Sequence, residues 1–147
     1  MANPEAEQLF AKGLRSIAEG STLAALVNFE RALQLEISPV YCSHLAFCIA
    51  KERGQVKKGI TLCLEAIEKE PENSLHYLNL GKIQLIAGCK ADAIETFRQG
   101  LSHEPNQQIL DELFKLEPRN PPVISFLHRD NPLNKYLGKI LKRLGLR

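Results

Sequence analysis

The sequence repeats itself with a period of 34 residues over most of its length. When the chain is shifted by 34 residues against itself, glycines, small residues and aromatic residues coincide. The coinciding triplets are Gly20, Gly54 and Gly88; Ala25, Gly59 and Ala93; Phe29, Cys63 and Phe97; Ala32, Ala66 and Gly100; and Leu33, Ile67 and Leu101. A period of this size is typical of solenoids, in which each repeat buries its apolar face against the next.

Each repeat contains two stretches of about 14 residues in which apolar residues recur at helical spacing. The aligned glycine between them is suited to the left-handed conformation that ends a helix, and Ser21 or Thr22 can cap the helix after Gly20. Three further helix starts combine a capping residue with a proline, in Asn3-Pro4, Ser38-Pro39 and Asn131-Pro132. The sequence therefore predicts three helical hairpins in an all-α chain.

The third repeat carries the motif Tyr77-x-x-Leu80-Gly81, followed by Gly88, Ala93, Phe97 and Pro105. This motif resembles the tetratricopeptide repeat (TPR), and residues 6–39 and 40–73 are weaker copies of residues 74–107. The middle copy departs most from the family pattern, at Ser43, Ala46 and Phe47. The resemblance implies a right-handed α-solenoid of three hairpins, as in a small TPR protein of the bacterial type.

The distribution of charge divides the chain at residue 117. Residues 1–117 hold 12 basic and 16 acidic side chains, a net charge of −4, whereas residues 118–147 hold 7 basic and 1 acidic, a net charge of +6. After the three hairpins, we expect the solenoid to end in one more helix over 107–116, the fourth helix of the first type. A Pro-rich extended segment and a basic amphipathic helix follow. The apolar stripe of that last helix consists of Leu133, Tyr136, Leu137, Ile140, Leu141 and Leu144.

Three roles for the basic C-terminal helix are left open by the sequence. It caps the open end of the solenoid, as repeat folds require; it contacts a second copy or a partner protein; or it lies on an anionic membrane surface or nucleic acid. The opposite charges of the two segments favour docking on the chain's own body or on a second copy. With only nine aromatic residues and no tryptophan, a surface that stacks on nucleic-acid bases is disfavoured.

By the same resemblance, the first helix of each repeat lines a concave groove that binds a peptide or a helix. The expected groove residues are Phe10, Leu14, Ile17, Tyr41, His44, Cys48, Leu78, Lys82 and Leu85. Because this set is largely apolar, it suits an amphipathic helix or an extended apolar segment. The same spacing is equally compatible with core packing between repeats.

One subtype of the family grips a C-terminal carboxylate through Lys, Asn and Arg side chains on successive first helices. In the third repeat of this chain, Asn79 and Lys82 have the required chemistry. The corresponding places in the first two repeats hold Phe10 and Leu14, and then His44, Leu45 and Cys48. The carboxylate clamp is therefore incomplete.

The sequence offers no complete metal or catalytic site. His44 and Cys48 share a helical face, but two ligands do not close a metal site. The other histidines, His76, His103 and His128, pair with no Ser, Cys or carboxylate at a catalytic spacing. We therefore predict a non-catalytic interaction module without a cofactor, acting as an adaptor or scaffold. A secretion-type or co-chaperone-like TPR chaperone is the alternative.

The location of the protein is predicted from what the sequence lacks. There is no secretory h-region near the N-terminus and no apolar run of about 18 residues. The four cysteines, Cys42, Cys48, Cys63 and Cys89, include no C-x-x-C pair. These features predict a soluble cytoplasmic protein with reduced thiols.

Overall fold

The computed structural model describes residues 2–116, 139–140, 142–143 and 145. The chain separates into two units, Met1–Lys115 and Leu116–Arg147. All regular structure in the described residues is helical, as predicted. The helices are α1 (Pro4–Ala18), α2 (Thr22–Leu35), α3 (Pro39–Arg53), α4 (Val56–Lys69), α5 (Ser74–Ile86), α6 (Lys90–His103) and α7 (Gln107–Leu116).

In the second unit, residues 139–140 and 142–143 are helical. The predicted extended segment and the helix start at Asn131-Pro132 lie outside the described residues. So do Leu133, Tyr136, Leu137, Leu141 and Leu144 of the apolar stripe. The three roles considered for the C-terminal helix stay predictions.

The first six helices form three hairpins, α1–α2, α3–α4 and α5–α6. The aligned glycines adopt positive φ angles where the first helix of each hairpin ends, at 83° for Gly20, 66° for Gly54 and 80° for Gly88. A side chain at these positions would be strained, so the recurring glycine has a conformational cause. The predicted three-hairpin solenoid is confirmed.

Within the first and third hairpins, a glycine on the first helix packs against a phenylalanine on the second. A Cβ added to Gly13 would overlap the Phe29 ring, and one added to Gly81 would overlap the Phe97 ring. In the middle hairpin the large residue lies on the first helix and the small residue on the second. Phe47 of α3 aligns with Gly13 and Gly81, Cys63 of α4 aligns with Phe29 and Phe97, and both belong to one core cluster.

The helix starts match the sequence prediction only in part. The Asn3 Oδ1 accepts hydrogen bonds from the N–H groups of Glu5 and Ala6, at 3.0 and 3.2 Å. Ser38 and Ser21 occupy N-cap positions, but neither side chain makes a capping hydrogen bond. The prediction of side-chain caps at those two starts was wrong. Their carbonyls instead accept the first backbone bonds of α3 and α2.

The hairpins stack so that α3 packs on α2 and α5 packs on both α3 and α4. The close approach of α4 to α3 depends on Gly59, because an added Cβ would lie 2.9 Å from the Ala46 carbonyl oxygen. The first helices α1, α3 and α5 thereby lie side by side. We call their side that is turned away from α2, α4 and α6 the first-helix face.

Candidate functional site

Aromatic rings join the first two helices of the first-helix face. The Phe10 ring stacks on Tyr41 with centroids 4.6 Å apart and meets the edge of His44 at 5.1 Å. The His44 ring also lies 5.7 Å from Phe29 of α2. The cluster therefore ties the first hairpin to the second.

His44 is neutral near pH 7. Its Nδ1–H donates to the Val40 carbonyl oxygen at 2.9 Å. Burial, which disfavours the charged form, lowers the pKa of His44 to about 4. The ring is thus an uncharged part of the packing between α1 and α3.

The nine residues predicted to line the groove differ in exposure. Tyr41, His44, Cys48 and Leu78 are buried and contribute mainly to packing between helices. The half-buried members are Phe10, Ile17, Lys82 and Leu85, and Leu14 is exposed. These five supply the accessible surface of the set, and their contact with a partner stays a prediction.

Lys82 is the half-buried cation of the first-helix face. Its Nζ lies 4.5 Å from the centroid of the Phe47 ring, a cation–π contact that Lys51 makes more distantly at 5.9 Å. Burial lowers the pKa of Lys82, while the nearby Glu112 carboxylate acts in the opposite direction. Glu112 itself pairs with Lys115 at 3.7 Å.

The sequence places no serine or carboxylate at a catalytic spacing from His76, but the structure brings one of each to its ring. The Ser43 Oγ lies 2.8 Å from the His76 Nδ1, and the His76 Nε2 lies 2.7 Å from the Glu70 Oε1. The Asn79 Nδ2 also donates to the Ser43 Oγ at 3.3 Å. The stacking of α5 on α3 brings these groups together across 33 positions of sequence.

The Ser43, His76 and Glu70 side chains are ordered as in a hydrolase triad, but they are not placed like one. Ser43 and His76 are fully buried, so the hydroxyl has no surface on which a substrate could bind. Their hydrogen bonds instead satisfy polar groups in the interface between α3 and α5. We therefore assign the network to the cohesion of the second and third hairpins.

A recurring glutamate is the signal that sequence reasoning missed. Glu36, Glu70 and Glu104 follow one another at intervals of 34 residues, each just after a second helix. Glu36 accepts a hydrogen bond from the Asn3 N–H at 3.1 Å, and Glu104 accepts from the Ser74 N–H at 2.7 Å. In the first and third hairpins this glutamate closes the hairpin onto its own first helix, whereas Glu70 binds His76 instead.

Neither a group of metal ligands nor a membrane-spanning helix is found among the described residues. Burial raises the pKa of the Cys48 thiol to about 12, which disfavours the thiolate that metal ligation requires. In the part of the chain that the structure describes, no group of three or more His, Cys, Asp or Glu side chains is placed to hold a metal ion. Among the same residues, no helix is long and apolar enough to cross a membrane.

Comparison with known proteins finds similarity to tetratricopeptide repeat proteins in both sequence and structure. A tetratricopeptide repeat family model matches residues 62–95. The small glutamine-rich tetratricopeptide repeat-containing protein 2 of Mycosarcoma maydis is 28% identical over 107 residues. That match covers 72% of this chain but 30% of the relative, so this chain spans about a third of the length of that protein.

Two solved structures share the fold. The Sgt2 TPR domain from Aspergillus fumigatus matches with a TM-score of 0.62 and 20% identity, over 83% of this chain and 90% of that domain. The first TPR domain of Spaghetti (RPAP3), bound to the HSP90 peptide SRMEEVD, matches with a TM-score of 0.58 and 18% identity, over 76% of this chain and 90% of that one. With the 34-residue period and the glycine-ended hairpins, these matches show that the chain has the fold of tetratricopeptide repeat domains.

Proposed function

We propose that the protein is a non-catalytic adaptor that binds a helical or extended apolar segment of another protein on its first-helix face. The observation that carries this proposal is that the three first helices lie side by side and together expose apolar side chains, at 40% for Leu14 and 41% for Ile86. Half-buried Phe10, Ile17 and Leu85 add to the same surface. Burying such side chains against a partner contributes roughly 25 cal/mol per Å² of apolar area.

The peptide-bound relative supports a co-chaperone type of adaptor. Its ligand, SRMEEVD, is acidic and ends in a carboxylate. In this chain, however, Phe10 and Leu14 stand at places that the clamp subtype fills with polar side chains. Asn79 is buried and donates its Nδ2 to Ser43. These differences favour a segment held mainly by apolar contact.

A pair of double variants tests the proposal. Leu14→Asp with Ile86→Asp places two charges on the first-helix face. Leu23→Asp with Val27→Asp places the same charges on α2, where the two side chains are 60% and 48% exposed. Each variant is used as an affinity bait in extract from the source organism, and its helicity and melting temperature are measured by circular dichroism.

We expect proteins captured by the unchanged chain to be captured equally by the α2 variant and lost with the face variant, while both variants melt like the parent. The cause is the cost of burying a charge without a partner. Equal capture by the face variant, or loss confined to the α2 variant, would place the binding surface elsewhere.

A further inference from the structure

The positive charge of Lys82 has no carboxylate within ion-pair distance among the described residues. The carboxylate that acts on it electrostatically, Glu112, pairs with Lys115. The Lys82 Nζ is held instead over the Phe47 ring at 4.5 Å. Lysines are seldom buried without a partner of opposite charge, because removal from water disfavours the ammonium group.

The surroundings of Lys82 are locally basic although the residues 1–117 carry a net negative charge. Lys51 shares the Phe47 ring, and both Lys51 and Lys115 act on Lys82 in the direction that lowers its pKa. Of the charged side chains that act on Lys82, two are lysines and one, Glu112, is acidic. An additional carboxylate placed here would be attracted by the excess positive charge.

We propose that Lys82 determines the specificity of the first-helix face, and that the bound apolar segment carries one Asp or Glu side chain that pairs with the Lys82 ammonium group. This inference rests on the adaptor function proposed above. Ile86, exposed and one helical turn from Lys82, supplies apolar surface beside the cation. The segment that fits is therefore apolar with a single internal acidic residue.

The geometry favours an acidic side chain over a C-terminal carboxylate. A chain terminus is gripped when several donors converge on its two oxygens. Here the neighbouring amide of Asn79 points into the interface with α3 and is bonded to Ser43. Of the two third-repeat residues with clamp chemistry, only Lys82 is left to donate, and it can pair with one carboxylate of a segment that is otherwise held by apolar contacts.

Selection from random peptide libraries tests this inference and does not require the natural partner to be identified. Random 12-residue peptides are displayed in two formats, one with a blocked C-terminus and one with a free C-terminus. They are selected on the unchanged protein, on Lys82→Met, on Lys82→Arg and on Lys58→Met. Lys82→Met keeps much of the apolar stem, Lys82→Arg keeps the charge, and Lys58→Met removes an exposed lysine from α4.

Selection from the blocked library on the unchanged protein, on Lys82→Arg and on Lys58→Met should enrich apolar peptides that carry one Asp or Glu. The enrichment should vanish on Lys82→Met. A selected peptide should lose about tenfold in affinity for Lys82→Met, as removal of a charged hydrogen bond would cause. Its Glu→Gln version should bind the unchanged protein and Lys82→Met equally.

Separate outcomes would overturn the role of Lys82, the preference for an internal acidic side chain, and the adaptor function. Apolar binders without acidic enrichment, or enrichment that persists on Lys82→Met, would overturn the role of Lys82 and leave the adaptor function standing. Enrichment of acidic residues only at a free C-terminus would overturn the preference for an internal side chain. Failure to select any peptide on the unchanged protein would count against the adaptor function itself.

Discussion

At the scale of the residue, His44 shows how burial decides the chemistry of a side chain. Helical spacing placed His44 and Tyr41 on the groove, whereas the structure buries both between α1 and α3. The spacing of residues reveals which side chains share a face. It does not separate a face covered by a neighbouring repeat from one covered by solvent, because the first helices of a solenoid have both.

The buried neutral state of His44 predicts a loss of stability in acid. The pKa falls from 6.5 in the unfolded chain to about 4 in the folded chain, so both states are neutral above pH 6.5. As the pH falls from 6.5 to 4, the unfolded chain binds a proton that the folded chain does not. This difference removes about 3 kcal/mol of stability by pH 4.

Denaturant unfolding at pH 7 and pH 4.5 measures this effect. His44→Leu should lose about 2 kcal/mol less than the unchanged protein between the two pH values. Leu23→Ala, which changes an exposed side chain that does not titrate, is the control and should show the pH dependence of the unchanged protein. Parallel pH dependence of the unchanged protein and His44→Leu would show that His44 is not the group responsible.

At the scale of the helical element, the repeat pattern predicts the hairpins well but not the contacts between them. The aligned glycines and prolines mark helix ends, because those ends depend on local backbone conformation. The polar link from Ser43 to His76 joins residues 33 positions apart. It depends on how α5 is rotated against α3, which no local pattern encodes.

The exchange of large and small residues in the middle hairpin predicts energetic coupling. Phe47→Ala should destabilise the protein by about 3 kcal/mol through loss of apolar contact and a residual cavity. Cys63→Phe should cost about 1 to 3 kcal/mol by overpacking a buried site. Together they recreate the small–large order of the other two hairpins, so the double variant should be more stable than the sum predicts by at least about 1 kcal/mol.

Urea unfolding of the two single variants and the double variant measures this coupling. The control pairs Phe47→Ala with Ser102→Ala, which alters an exposed hydroxyl on α6 and should be additive. Additive effects of Phe47→Ala and Cys63→Phe would show that the two side chains do not compensate for each other.

At the scale of the whole molecule, the stacking of hairpins brings the three first helices onto one face. Repetition at intervals of 34 residues makes this face predictable from the sequence. The exposed part of that face is less predictable, because the apolar pattern of the first helices does not distinguish exposed Leu14 on α1 from buried Leu78 on α5. We propose that this exposed part recognises a partner protein.

Site-specific photo-crosslinking tests whether the first-helix face contacts a partner protein. A photoreactive phenylalanine analogue replaces Leu14 on the first-helix face or, as the control, Val27 on α2; the two side chains have similar exposure, 40% and 48%. We predict that illumination in the source cell joins a partner protein covalently to position 14 and not to position 27. Cross-links at position 27 alone, or equal cross-links at both, would contradict the assignment of binding to the first-helix face.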